Sequence, residues 1–386
     1  MGGGTQGDWP GGGHTLSPKP DVVDFVVIGG GIAGVSAAAH LTPHGSVTLL
    51  ETERTLAYHT TGRSAAMYVA NYGGQGSRPL GVASRAFLEN PPEGSTDTPL
   101  LSPRGLLWVA DKARVGMLDN KTAGTDSRVV DKSEVLGLIP VMSPDWVAAG
   151  LYEPHALDID VAGLHQAFVR IARGHDADLR TSAPVNGLER RDEGWRVSTP
   201  DGEVDTAVVV NASGAWGDVV AALAGVDPIG LQPMRRTAFM VPGDESYSGW
   251  PFVVDVEERF YFRPDGPQLL CSLAEEIPSP PTDSRPEMAD IALAIERINE
   301  ATTLGIRSVN SQWTGLRTFA PDREMVIGEE PGTRGFFWLV GQGGTGIQTS
   351  PACGALVASL VTGGPPPPEL AGAGVDTDRL SPDRFR

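Results

Sequence analysis

DFVVIGGGIAGVSAAAHLTPHGSVTLLE, residues 24–51, decides how this chain is read. Residues 25–28 form a short apolar run rich in β-branched side chains, the pattern of a buried strand. The turn Gly29-Gly30-Gly31-Ile32-Ala33-Gly34 follows at once, with the spacing G-x-G-x-x-G. An alanine-rich helical stretch then runs from about residue 31 to 41, and a second apolar run at 47–50 ends on Glu51. Gly29 permits the tight turn, Gly31 lets the backbone approach a pyrophosphate, and Gly34 lets helix and strand pack closely. The helix N-terminus turns unpaired N–H groups and a positive dipole end toward phosphates. Glu51, seventeen residues past Gly34, stands where a carboxylate can accept hydrogen bonds from ribose hydroxyls. A glycine triplet alone is a weak signal, but strand, turn, helix, strand and acid in this order point to dinucleotide binding.

Working outward, 386 residues with 40% apolar content suffice for one large or two medium domains. A net charge of −18 argues against nucleic-acid or anionic-membrane partners, which would repel the protein. No apolar run reaches the roughly 18 residues of a membrane span; the nearest, 352–361, is interrupted by Gly354 and reads as a core helix. Two cysteines, Cys271 and Cys353, make neither a disulfide framework nor a metal site and fit a reducing cytoplasm. The first twenty residues lack the basic start and apolar core of a signal peptide and read as a disordered tail. Gln6 occupies the place where a myristoylation motif needs Ser or Thr.

After the βαβ unit, Tyr58-His59-Thr60-Thr61-Gly62-Arg63-Ser64-Ala65-Ala66 is a small, hydroxyl-rich segment that could lie against a cofactor or form an ordinary surface loop. Helical spacing at Val161, Leu164, Phe168 and Ile171 predicts a packed helix over 160–173, with His165 as a structural residue beside it. The run at 206–210, ending in Asn211-Ala212-Ser213-Gly214-Ala215-Trp216, has the form of a central parallel strand with a ligand at its carboxyl end. Strand patterns at 237–241, 252–254, 260–263 and 269–272, with one helix at 286–301, suggest a second, sheet-rich domain. The loop 341–350, GQGGTGIQTS, precedes a last helix that Ser350 as N-cap and Pro351 as first residue would open.

The glycine turn 29–34, the segment 59–66, the strand end 210–216 and the loop 341–351, in this order, resemble the D-amino-acid oxidase superfamily of FAD enzymes, most closely the bacterial D-arginine dehydrogenase and glycine oxidase branch, over about residues 24–361. The resemblance implies an α/β fold: a glutathione-reductase-type FAD-binding Rossmann domain (22–90, 151–230 and 310–365) and a mixed-sheet α+β substrate domain (91–150 and 231–309), with tails at 1–21 and 366–386. It implies that Gly29, Gly31, Ile32, Ala33 and Gly34 line the pyrophosphate, and that Glu51 with Thr52 holds the ribose. Thr60, Thr61, Gly62, Arg63, Ser64, Ala65 and Ala66 would surround the flavin, and Ala212, Ser213, Gly214 and Trp216 the adenosine end. Gly343, Gly344, Thr345, Gly346, Ile347, Gln348 and Thr349 would lie at the isoalloxazine ring, with a helix dipole favouring negative charge there. Relatives include covalent flavoproteins and His59 is near that region, but no attachment motif is evident, so the expected FAD is non-covalent.

The same resemblance implies a substrate clamp of Arg317, Arg236 and Tyr261, with Tyr72 and Gly344 beside it. An arginine fork and a phenol suit a carboxylate; Arg235 or Arg236 could instead be a surface ion pair, and Tyr72 a core aromatic. Where the D-arginine dehydrogenase pattern has a histidine, a threonine and a nearby acid, this chain has Met67, Val69 and Leu106, so a cationic tail loses its counter-charge. The expected pocket, which also includes Thr345, takes a carboxylate with an apolar tail: a hydrophobic D-amino acid or an N-substituted glycine. Hydride transfer to FAD would give an imine that water cleaves, with oxygen or another acceptor reoxidising the flavin. A redox-silent FAD-binding module is the alternative.

Overall fold

The structure is a computed structural model that describes residues 21–121 and 127–386. The N-terminal segment expected to be a disordered tail lies outside the described residues, apart from Asp21, which opens the first strand. That strand, Asp21–Ile28, pairs in parallel with Val47–Leu50 on one side and with Gly202–Asn211 on the other. Gly202–Asn211 changes partner along its length. Its first half makes a hairpin with Gly194–Thr199, and its last residues pair in parallel with Phe336–Val340. The carboxyl ends of these parallel strands therefore meet at the turn 29–34.

Both faces of this sheet are covered, which explains runs that are apolar at every position rather than at alternate ones. Phe25, Val27, Leu49 and Val210 face one core, while Val26, Ile28, Leu50 and Val209 face the other. The helix Ile32–Leu41 packs on Val161–Gly174 and on the last long helix, Gly346–Thr362. Small residues make the second contact possible. A Cβ on Gly354 would lie 2.1 Å from Ser36 Oγ, and that hydroxyl donates to the Ser350 carbonyl at 2.5 Å.

The last long helix starts earlier than the sequence suggests. It begins at Gly346 with Thr345 as N-cap, which places Ser350 and Pro351 inside it. Pro351 has no N–H for the Ile347 carbonyl, and Ser350 Oγ donates to that carbonyl instead, at 2.9 Å. The proline is thus tolerated one turn further in than an N1 position.

Among the described residues the second sheet has nine strands, and in it Phe252–Asp255 pairs in parallel with Leu106–Asp111 among otherwise antiparallel neighbours. Ser311–Phe319 runs along Gln232–Pro242 from Gln232 to Met240, so these residues lie in the second sheet and not with the FAD-domain segment to which the sequence assigned them. The helix Met288–Ala301 packs on one face of this sheet through Ile291, Ala294 and Ile298. The opposite face carries Leu106, Trp108, Phe252, Val254 and Tyr261 and turns toward the first domain.

Residues 366–386 are not a tail. Pro368–Gly372 and Thr377–Leu380 are short helices that bury Leu370 and Leu380. Arg384 binds Asp322 and the Met325 carbonyl, and Arg386 binds Glu330, which also accepts from Trp338 Nε1. Helices of four or five residues are too short to show periodicity, and their anchors are side-chain ion pairs.

Candidate active site

A continuous cavity of about 500 Å³ runs from the turn 29–34 to the face of the second sheet that carries Leu106 and Phe252. Its first end is built mostly from backbone. Gly29 adopts φ of +111°, and a Cβ there would lie 2.6 Å from the Ala212 carbonyl oxygen, where two strand ends converge. A Cβ on Gly34 would sit 1.8 Å from the Gly29 carbonyl oxygen, so only glycine lets the helix come this close. Glu51 lies in the wall with its carboxylate fixed by two backbone donors, Gly30 N–H at 2.6 Å and Glu53 N–H at 2.8 Å. His165 confirms its structural reading in a specific way: Nε2 lies 3.0 Å from the Gly30 carbonyl, beneath the turn. Burial pushes its pKa down.

The segment 58–66 crosses the middle of the cavity. Its threonine and serine hydroxyls each bond the protein. Thr60 Oγ1 donates to the Leu316 carbonyl at 2.8 Å, Thr61 Oγ1 accepts from Ile32 N–H at 2.9 Å, and Ser64 Oγ donates to the Thr60 carbonyl at 2.8 Å. Arg63 reaches the Thr314 carbonyl and Asp283, tying this segment to the second sheet. The segment therefore offers backbone and methyl groups, with the Thr61 hydroxyl proton as a remaining side-chain donor. The His59 ring lies 4.7 Å from Trp216 at the cavity edge and its Nε2 lies 2.9 Å from Glu53.

At the other end, strand alternation separates two neighbouring arginines. Arg235 faces outward to Glu287 and Asp290 at 3.0 and 2.7 Å. Arg236 faces the cavity, donates from Nε to the Glu275 carbonyl at 2.6 Å, and stands 3.5 Å from Glu276. Burial, with Arg317's positive charge as second cause, holds the Arg236 pKa below the usual guanidinium range. Arg317 also lines the cavity and has no hydrogen-bond or ion-pair partner among the described residues. A Cβ on Gly344 would lie 3.1 Å from both Arg317 Nη1 and Tyr72 Oη, so these two groups converge on that glycine. Tyr261, buried, completes this corner.

The facing wall is apolar. Leu106 and Trp108 stand opposite Phe252 and Val254 on paired strands, with Met67 and Val69 packed against them. Trp108 Nε1 donates to Glu153 Oε1 at 3.0 Å, which fixes the indole, and burial raises the Glu153 pKa.

Most residues named from the sequence border the cavity: Gly29, Gly31, Ile32, Ala33, Glu51, Thr52, Thr60, Thr61, Arg63, Ser64, Ala65 and Ala66, then Ala212, Ser213, Gly214 and Trp216, then Gly343, Gly344, Gly346, Ile347 and Gln348. Gly34, Gly62, Thr345 and Thr349 do not; they shape it from behind. Thr345 Oγ1 donates to the Gln342 carbonyl and Thr349 Oγ1 to the Thr345 carbonyl, each at 3.0 Å. The substrate-pocket assignment of Thr345 is corrected accordingly, since the residue is buried outside the cavity lining and its hydroxyl is spent on the Gln342 carbonyl of the preceding turn. Trp108, Phe252, Val254 and Glu258 were not named. The period-two spacing 106/108 and 252/254 was a usable signal for the first three, but knowing which face is inward requires the strand pairing.

The glycine cradle, the fixed Glu51 and the continuous cavity fit an extended dinucleotide. A family model described as DAO, FAD dependent oxidoreductase, matches residues 24–360. The chain belongs to this FAD dependent oxidoreductase family. FAD is its cofactor. Human mitochondrial sarcosine dehydrogenase is 27% identical over 380 residues, which cover 92% of this chain and 41% of that protein. The chain thus spans less than half the length of this curated relative. Among solved structures, glycine oxidase from Geobacillus kaustophilus superposes with a TM-score of 0.81 at 22% identity, covering 94% of this chain and 98% of that one. L-proline dehydrogenase from P. horikoshii gives 0.82 at 21%, covering 95% and 98%. These two likenesses establish the shared fold. No described helix is long and apolar enough to cross a membrane.

Proposed function

We propose that this FAD dependent oxidoreductase oxidises the C–N bond of an N-substituted glycine that carries an apolar N-substituent. The reading rests on Arg317. Its guanidinium makes no ion pair among the described residues, converges with Tyr72 Oη on Gly344, and has Arg236 close enough for the two charges to repel. Two cations in a largely dry corner call for an anion, and a substrate carboxylate meets both with charge-assisted hydrogen bonds. The apolar wall at Leu106, Trp108, Phe252 and Val254 receives the rest of the molecule.

FAD, when bound, supplies the hydride-accepting centre. The protein's own contribution is positional. Arg317, Arg236 and Tyr261 hold the carboxylate, Gly344 leaves room for Arg317 and Tyr72 beside it, and the wall excludes water from the carbon while it loses hydride. No histidine borders the substrate end among the described residues, and Met67 stands where the resemblance places one, so the amine enters neutral. Loss of hydride from the methylene carbon of the neutral amine leaves an iminium; once this is released from the pocket, water adds to that carbon, the C–N bond breaks, and glyoxylate and an amine form.

A hydrophobic D-amino acid would use the same clamp. Sarcosine and proline, which the names of two similar proteins carry, are both secondary-amine amino acids, and this favours the N-substituted class. Two free cysteines suit a reducing cytoplasm, the net charge of −18 argues against a nucleic-acid partner, and the flavin is held without a covalent bond in this reading. Anaerobic mixing of the yellow enzyme with N-alkylglycines and with D-leucine and D-phenylalanine is the test. Bleaching by the first group with glyoxylate release is expected. Bleaching by the D-amino acids alone moves the assignment to that class, and bleaching by neither leaves a redox-silent FAD protein.

A further inference from the structure

The sequence reading leaves no acid at the substrate end of the cavity; the structure supplies one. Glu258 lies in the turn between Phe252–Asp255 and Tyr261–Asp265, at φ of +58°, and borders the cavity together with Trp108. The turn is well braced. Glu258 N–H donates to the Asp255 carbonyl at 2.7 Å, and buried Asp255 accepts from Glu257 N–H at 3.0 Å and from Arg259 at 2.7 Å. Around it Arg114 is paired with Asp111 and Glu257, and Arg259 with Asp255. Lys121 pairs with Glu258: Nζ lies 3.1 Å from Oε1 and 4.1 Å from the centre of the Trp108 ring.

We propose that Glu258 is a specificity residue that faces the substrate tail, and that Lys121 masks it, so that the pocket accepts neutral tails and rejects cationic ones. The inference rests on the carboxylate clamp at Arg317, which puts the tail toward Trp108. Opposite charges 3.1 Å apart present a weak field to an apolar tail. A cationic tail would have to share Glu258 with an ammonium that repels it. Without that ammonium, a free carboxylate beside an indole is a cation site, combining ion pairing with the ring's negative face. Rejection of a cationic tail such as that of D-arginine then comes from Lys121 as well as from the apolar Met67, Val69 and Leu106.

The test titrates the FAD-loaded enzyme with hexanoate, 6-aminohexanoate and hexylamine, reading the shift of the visible flavin band, in wild type, Lys121→Met, Lys121→Gln and Lys121→Met/Glu258→Gln. Both single variants keep a side chain over Trp108, and two of them guard against one that folds poorly. Expected is a gain of about fivefold in affinity for both amines in the single variants, the scale of a partly screened ion pair. Hexanoate is unchanged, and the double variant loses the gain. Amine affinities that do not rise, or a rise that survives Glu258→Gln, overturn the proposal. The clamp is judged separately: if 6-aminohexanoate binds no better than hexylamine, and Arg317→Met leaves hexanoate binding intact, the carboxylate site fails while hexylamine still decides the role of Glu258.

Discussion

The two ends of the cavity are built on different principles. The FAD end is made mostly of backbone: a glycine turn, strand termini and a segment whose hydroxyls each bond the protein. The substrate end is made of side chains from strands far apart in sequence, Leu106 and Trp108 facing Phe252 and Val254, with Arg236 and Arg317 to one side. Backbone recognition requires glycine at fixed local spacing and is intolerant of any Cβ. Side-chain recognition requires only the right alternation on paired strands, so it can be changed without disturbing the fold. Substrate choice can therefore vary across a family while the cofactor end stays the same.

The largest effect expected is at the backbone end. Gly34→Val drives side-chain atoms into the Gly29 carbonyl, where even a Cβ would be at 1.8 Å. The purified variant should be colourless and destabilised by more than about 3 kcal/mol in denaturant melts. A yellow, stable variant would show that the turn can relax and would weaken the contrast. Arg317→Met comes next: FAD content stays, while kcat/KM falls by about 10² to 10³, the usual result of removing one member of a buried charge pair. Arg235→Gln, on the opposite face of the neighbouring strand, should leave kcat/KM unchanged and cost no more than about 1 kcal/mol of stability. Equal kinetic losses in the two variants would contradict the alternation that separates clamp from surface.

Gly344→Ala should cost about tenfold in kcat/KM with FAD retained, because a methyl at 3.1 Å from Arg317 Nη1 and Tyr72 Oη pushes both out of line. Kinetics of the purified variant would show this, and unchanged values would mean that the arginine is free to adjust. The smallest effect is on pH dependence. Burial lowers the pKa of His165 and of His40. The unfolded chain then binds protons that the native state does not, so stability should decline as pH falls below about 6.5 toward the depressed native values. His165→Gln should flatten that decline in pH-dependent thermal melts; an unchanged slope would mean that His165 does not carry it.

The sequence made the cofactor end legible because its signals are local. Gly29, Gly31, Gly34 and Glu51 lie within one βαβ unit, and each has a conformational or packing reason that spacing alone displays. Arg317 and Tyr261 were reachable only through resemblance, since a lone arginine on a strand has no local signature. Trp108 and Glu258 escaped because their placement depends on parallel pairing of segments about 145 residues apart and on the +58° φ of one turn residue. Pro351 misled in the other direction: its preference for N1 was outweighed by Ser350 Oγ, which satisfies the orphaned Ile347 carbonyl. Residues 366–386 read as a tail because two short helices pinned by Arg384 and Arg386 carry no periodic signal.

The most direct measurement is an anaerobic titration of wild type and Arg317→Met with an N-alkylglycine, following the visible flavin band. If Arg317 is the carboxylate clamp, wild type bleaches and releases glyoxylate, while the variant stays yellow at the same concentrations with its FAD still bound. Equal bleaching of the two proteins, or a wild type that no N-alkylglycine bleaches, would contradict it.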